Sequence, residues 1–273
     1  MTNDAQFIPA HISSIPVPKT FFDSVEFARS NQNPIDYPSV DVGYLISRFI
    51  DISCIVQRSV LRDGKPKTTA TLQQMIELDS DFASWELGLK GPWLYRTETT
   101  QDLPPEAVFQ GRHHVYFDLW FARMWGYYRW ARILLNQMIL SFANSNPMSS
   151  LPLQSANERD DRFRLIKKLA RDILVSAPSH WRHPSLTANA PKFVVEDGGA
   201  GSGAAGVPIL LFHLKAAACA PGVPLEYWEW AQGIIECIWA DMGMLHAKSM
   251  MDAMRTHRDG LLLANADGVL AQA

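Results

Sequence analysis

HHVYFDLWFARMWGYYRWARILLNQMILSF, residues 113–142, decides the fold. It holds no Pro and a single Gly, Gly126. About thirty helical residues span roughly 45 Å, longer than a small domain is wide. Val115, Leu119, Trp120, Met124, Tyr127, Tyr128, Leu134, Leu135, Met138, Ile139 and Phe142 cover most of its circumference. Polar groups gather on one stripe, Asp118, Ala122, Trp125, Arg129, Arg132 and Asn136, whose steps of three and four share a face. A helix apolar nearly all round is enclosed by other helices. The expected fold is therefore all-α, a single multi-helix bundle around one long central helix at about 113–143.

Working outward, periodicity predicts a short helix at about 20–30 on Phe21, Phe22, Val25 and Phe27. A longer one follows, opened by Ser39 or Asp41 and carried by Tyr44, Leu45, Phe49, Ile52, Ile55 and Val56. A third runs from Thr69 or Thr71 through Met75, Leu78, Phe82 and Trp85 to the Lys90-Gly91-Pro92 stop. The twenty residues before the central helix read as a loop, with Pro104-Pro105 inside it. After Phe142 comes a Ser/Asn/Pro-rich break. Ser155 with Glu158 then resembles a capping box for a helix through Phe163, Ile166, Leu169 and Leu174. Residues 177–194 look irregular, and the glycine-rich stretch 197–206 reads as a flexible linker because it follows no strand and lacks a phosphate-loop Lys-Ser/Thr. Further helices are expected at 207–219, from Pro224 until Gly243, and from Met244 to Arg255. In domain terms, 1–19 is an extended segment over the surface, 20–258 one helical domain, and 259–273 a loose tail. No β-alternation or internal repeat stands out.

Composition narrows the function classes. The 273 residues are 47% hydrophobic and 19% charged, enough for a sizeable core. A net charge of −3 gives no global pull toward nucleic acid. No apolar run reaches the roughly 18 residues of a membrane span, and the N-terminus lacks the regions of a signal peptide. Cys54, Cys219 and Cys237 are scattered in apolar surroundings, which points to reduced thiols and an intracellular location, cytoplasm or nucleus.

Chemistry-bearing residues are sparse. His180-x-x-His183 has ligand-like spacing, but Pro184 follows, no carboxylate lies alongside and no paired cysteines occur, so no metal and no cofactor is assigned. His113-His114 at the entrance of the central helix reads as a solvated pair or cap, with no third orienting group for a catalytic dyad. Arg123, Arg129 and Arg132 within so apolar a helix must meet carboxylates, carbonyls or a ligand. One reading has them staple neighbouring helices through Glu77, Asp79, Asp81 or Asp241. The other has Arg and Tyr groups line an apolar pocket walled by Trp120, Trp125 and Tyr128. The candidate ligand-binding set is His113, His114, Tyr116, Trp120, Arg123, Trp125, Tyr128 and Arg132; no catalytic residue is assigned.

Several positions together resemble a known family. Leu78-Asp79-x-x-Phe82-x-x-Trp85, then Gly91-Pro92-Trp93, then the run from Gly111-Arg112 through His114-Val115-Tyr116, Asp118-Leu119-Trp120, Trp125, Tyr128-Arg129 and Ala131-Arg132-Ile133 is similar to the regulatory region of fungal zinc-cluster transcription factors. Pro208-Ile209-Leu210-Leu211 and Asp241-Met242-Gly243 look like that family's later helix starts and closing pair, so the resemblance covers roughly 70–258. The family's DNA-reading module needs six closely spaced cysteines, and three scattered ones are present. The resemblance thus implies an effector-responsive half that binds a largely apolar small molecule, not DNA by itself, with a homo-oligomer or a partner transcription regulator as further partners. Two other readings stand beside it. One is a cofactor-free cyclase or isomerase of fungal secondary metabolism, favoured by the opening Met1, that folds a polyene or terpenoid by shape. The other is a protein–protein interaction module.

Overall fold

The computed structural model describes residues 7–31, 33–63, 69–145, 156–195 and 206–270. Among the described residues 75% are helical, in nine helices with one small sheet, so the fold is mostly all-α. The helices are α1 (Phe7–Ile12), α2 (Lys19–Asn31), α3 (Tyr37–Asp63), α4 (Thr69–Gly88), α5 (Leu119–Ser145), α6 (Ala156–His180), α7 (Val207–Ala218), α8 (Leu225–Met242) and α9 (Leu245–Leu270). Two strands, β1 (Arg96–Thr99) and β2 (Arg112–Val115), form an antiparallel pair.

The packing separates into two compact units. The first comprises Met1–Leu94 and Tyr127–Ile166. In it α3 packs against α1, α2 and α4. Its core is aromatic and edge-rich: Phe7 meets Phe21 at 5.7 Å and Tyr127 at 5.8 Å, and Phe49 meets Trp130 at 5.7 Å. Edge-to-face rings satisfy their quadrupoles in such a core. The second unit comprises Tyr95–Gly126 and Lys167–Ala273. There α8 packs on α7 and α9, and α7 on α9. Gly243 closes α8 in the left-handed conformation, φ +64°, its N–H donating to the Trp239 carbonyl at 2.9 Å, as a glycine at that position should.

The central helix is α5, and no residue of it from Leu119 to Leu140 is exposed. It starts at Leu119 rather than near 113. Asp118 is the reason: its Oδ1 accepts the Phe121 N–H at 3.0 Å and its carbonyl accepts the Ala122 N–H, so it caps the helix from outside. Before it, Arg112–Val115 is a strand, where helix was expected, paired in register Arg96↔Val115, Thr97↔His114, Glu98↔His113 and Thr99↔Arg112. Tyr116 extends this edge, its N–H donating to the Phe193 carbonyl at 3.2 Å.

Other expectations change as well. Phe7–Ile12 is helical rather than extended, because Phe7 and Ile8, each 4% exposed, give a short turn something to bury. Pro9 fits there since first-turn N–H groups lack intrahelical partners. Helix α6 continues through Pro178 to His180, where irregular chain was expected from 177, and α9 extends to Leu270, well past Arg255. The break at 146–155, with its capping Ser155, and the glycine-rich stretch up to residue 205 lie outside the described residues.

Candidate functional site

The eight candidates divide between the two units. Tyr128 and Arg132 belong to the first; His113, His114, Tyr116, Trp120, Arg123 and Trp125 belong to the second.

In the first unit Arg132 is the centre of a polar network. Its Nε donates to Asp79 Oδ1 at 2.8 Å, and its Nη1 donates to the Tyr128 hydroxyl at 2.6 Å and reaches Glu86 Oε2 at 3.4 Å. The Tyr128 hydroxyl in turn donates to Glu86 Oε2 at 2.6 Å. Asn136 donates to Asp79 Oδ1 at 2.9 Å and accepts from Arg162 Nη1 at 2.7 Å. Side chains four apart on α5 thus face two carboxylates from α4 and one cation from α6. Burial disfavours the Arg132 charge, yet the Asp79 carboxylate and the hydrogen bonds to Asp79 and Tyr128 outweigh that and hold the guanidinium protonated. Burial also pushes the Tyr128 phenol far above its ordinary value, against the pull of Arg132, so it stays a neutral donor. Beside the network an open cleft of about 180 Å³ is lined by Asp79, Glu158, Asp161, Arg162 and Leu165. It includes none of the eight candidates.

Of the carboxylates expected to staple the arginines, Asp79 meets Arg132, whereas Asp81 serves Arg48 of α3 at 2.6 Å. Glu86, Asn136 and Arg162 complete the network; a sequence gives no sign of which α4 carboxylate an α5 arginine will meet. Arg129 is 1% exposed.

In the second unit, His114, Tyr116 and Trp125 converge on Tyr95. Ring centroids lie 4.3 Å from Tyr95 to His114, 5.2 Å to Tyr116 and 4.9 Å to Trp125. His114, Tyr116 and Trp125 are buried, while Tyr95 is partly exposed. His114 Nδ1 lies 2.9 Å from the Thr97 hydroxyl, its partner across the strands. His113 points to the opposite face, as alternate strand residues must. There its Nε2 is 3.5 Å from Glu98 Oε2 and its ring meets Phe193 edge-on at 5.0 Å. Burial lowers the His113 proton affinity and Glu98 only partly restores it. Neither histidine is a solvated helix cap: both are buried strand residues. Trp120 carries the Arg123 guanidinium over its ring at 5.8 Å, one helical turn along.

His180 and His183 do not act as a pair. His183 Nδ1 lies 2.8 Å from the Ser185 hydroxyl, while His180, 1% exposed, sits 6.3 Å from the buried His213 ring. Among the described residues no group of three or more His, Cys, Asp or Glu side chains is placed to hold a metal ion. No described helix is long and apolar enough to cross a membrane.

Tyr95, Thr97 and Glu98 were hidden in the supposed loop. The signal for them is the alternation Arg96-Thr97-Glu98-Thr99, a period of two with β-branched threonines. No protein-family model, curated protein or solved structure matches the chain.

Proposed function

We propose that this chain is a helical effector-binding domain that takes a largely apolar small molecule and does not bind DNA by itself, in the manner of the regulatory region it resembles. The observation that carries this reading is the aromatic wall around Tyr95. Three buried rings, His114, Tyr116 and Trp125, back one partly exposed ring. Such a surface offers flat apolar contact with a few polar atoms at its edge, the composition that small-molecule sites favour. Tyr128 and Arg132, by contrast, already meet Glu86 and Asp79 and serve to hold helices together. They leave the ligand set, and Tyr95 enters it.

The test uses purified full-length chain and farnesol as an apolar isoprenoid probe. Trp125 lies edge-on to Tyr95, so binding is read as a change in tryptophan emission, with native mass spectrometry giving stoichiometry. Tyr95→Ala should weaken binding roughly fivefold while far-UV circular dichroism stays unchanged, one aromatic contact being worth about 1 kcal/mol. Equal binding by the variant, or no binding by either protein to a panel of terpenoid and polyene probes, refutes the reading. Recovery of a cyclised or isomerised probe would transfer the site to the cofactor-free enzyme reading.

A further inference from the structure

The β1–β2 pair contains a buried titratable group on the face opposite His114 and the Tyr95 wall. His113 is 1% exposed, sits opposite Glu98 in the strand register, and packs its ring against Phe193. Its Nε2 lies 3.5 Å from Glu98 Oε2, and its Nδ1 meets no hydrogen-bond partner among the described residues. Glu98 is not a dedicated counter-ion, because its other oxygen accepts from Arg96 Nε at 2.6 Å. A protonated imidazole here would carry one N–H into apolar surroundings and share a carboxylate already engaged.

We propose that His113 makes this pair of strands an acid-sensitive clasp: proton uptake by its ring loosens β2 from β1 and from the Phe193 segment. The charged and titratable groups around it are few. Glu98 and Arg96 come from β1, Arg112 and His114 from its own strand, and Lys192 stands beside Phe193. From α6, Ser179 donates its hydroxyl to the carbonyls of His114 and Phe193, with His180 next to it. Glu98 favours the charged ring and Arg96 opposes it. Burial exceeds the gain from Glu98, so the folded ring binds its proton more weakly than an unfolded histidine. Below the ordinary histidine value of about 6.5 the opened state therefore binds more protons, and stability falls with pH from there downward. Above that value both states are neutral and the clasp holds.

Hydrogen exchange on the full-length chain tests this, with rates corrected for intrinsic pH dependence. Amides of 96–99 and 112–115 should lose protection severalfold between pH 7.5 and 5 relative to amides of α3 in the same sample, as the weaker proton affinity of the folded ring requires. His113→Gln should abolish the differential loss. Glu98→Gln should leave the onset near 6.5 and deepen the loss at lower pH, because the folded ring loses the carboxylate that favours its proton. An unchanged wild-type clasp, or the same loss in His113→Gln, overturns the proposal; the second result would hand the effect to His114, His180 or His213. If His113→Gln leaves the strands unprotected at every pH, the ring signal of wild-type His113 decides. A midpoint below 6.5 that coincides with shifts of the strand amides supports the clasp, and a midpoint at or above 6.5 refutes it.

Discussion

Replacing Asp79 with Ala removes the acceptor on which the α4–α5–α6 network converges. Its Oδ1 takes N–H bonds from Arg132 at 2.8 Å and Asn136 at 2.9 Å, and Oδ2 lies 3.7 Å from Arg162. The side chains are 15% exposed for Asp79, 9% for Arg132 and 11% for Arg162, so water can replace little of what is lost. Breaking a buried ion pair by removing one partner costs about 3–5 kcal/mol, since the remaining charge stays desolvated. Two carboxylates soften the loss: Glu86 at 3.4 Å from Arg132 and Glu158 at 3.6 Å from Arg162. The expected cost of Asp79→Ala is therefore at the low end, about 3 kcal/mol. Arg132→Met should cost less, about 2 kcal/mol, because Asp79 keeps Asn136 and Tyr128 keeps Glu86. Asp79→Ala with Arg132→Met removes both charges at once and should cost less than the two single losses added, by at least about 1 kcal/mol. Urea denaturation followed by circular dichroism supplies each value. A change under about 0.5 kcal/mol for Asp79→Ala, or strict additivity in the double variant, would refute the view that these groups staple the helices.

Two further outcomes follow from single sites. At Gly126 an added Cβ would lie 2.5 Å from His213 Cε1 and 2.6 Å from Nδ1, with His213 only 1% exposed. Gly126→Ala should therefore destabilise by about 1 kcal/mol despite a helix-propensity gain of similar size; a thermal melt showing stabilisation, or no rescue by adding His213→Ala, contradicts this. Burial pushes the Cys219 thiol up to about 11, against the pull of Lys215. At pH 8 its alkylation by iodoacetamide should run about a hundredfold slower in the folded chain than in urea, read by mass spectrometry of the Cys219 peptide, because only the thiolate reacts.

The helices were legible where apolar residues recur every three or four positions over several turns. Met75, Leu78, Phe82 and Trp85 announce α4, and Tyr227, Ile234, Ile235 and Ile238 announce α8, within a residue or two of the observed ends. The strands were not, because Arg112–Val115 runs into the apolar stretch of α5 with no Gly or Pro between them. Only Asp118 marks the boundary, and an aspartate reads equally well as one polar residue on a helical stripe. Pro178 misled in the other direction, suggesting an end to α6 that tertiary contacts override: the Ser179 hydroxyl ties the last turn to two carbonyls. In the candidate site, the need of Arg132 for a carboxylate, a carbonyl or a ligand followed from its place on so apolar a helix, and Asp79 is the partner it found. The meeting of Tyr95 with His114 and Trp125 depends on a strand register that no local pattern encodes.

A polar side chain on an apolar helix has two readings, and its partners decide between them. Arg132 spends Nε on Asp79 and Nη1 on Tyr128 and Glu86, so a ligand recruiting it would first have to displace a carboxylate. That cost would be set against every contact the ligand gained. The Tyr95 wall is built of aromatic rings, and the hydrogen bond at its edge joins the Thr97 hydroxyl and the His114 ring. An apolar ligand approaching Tyr95 would displace water from a flat ring, and its buried area would count toward affinity. Arg132, one of the residues that drew attention to α5, is thus poorly placed to bind. The strand pair in front of it, which positions Tyr95 and His114, is where ligand variants should be sought.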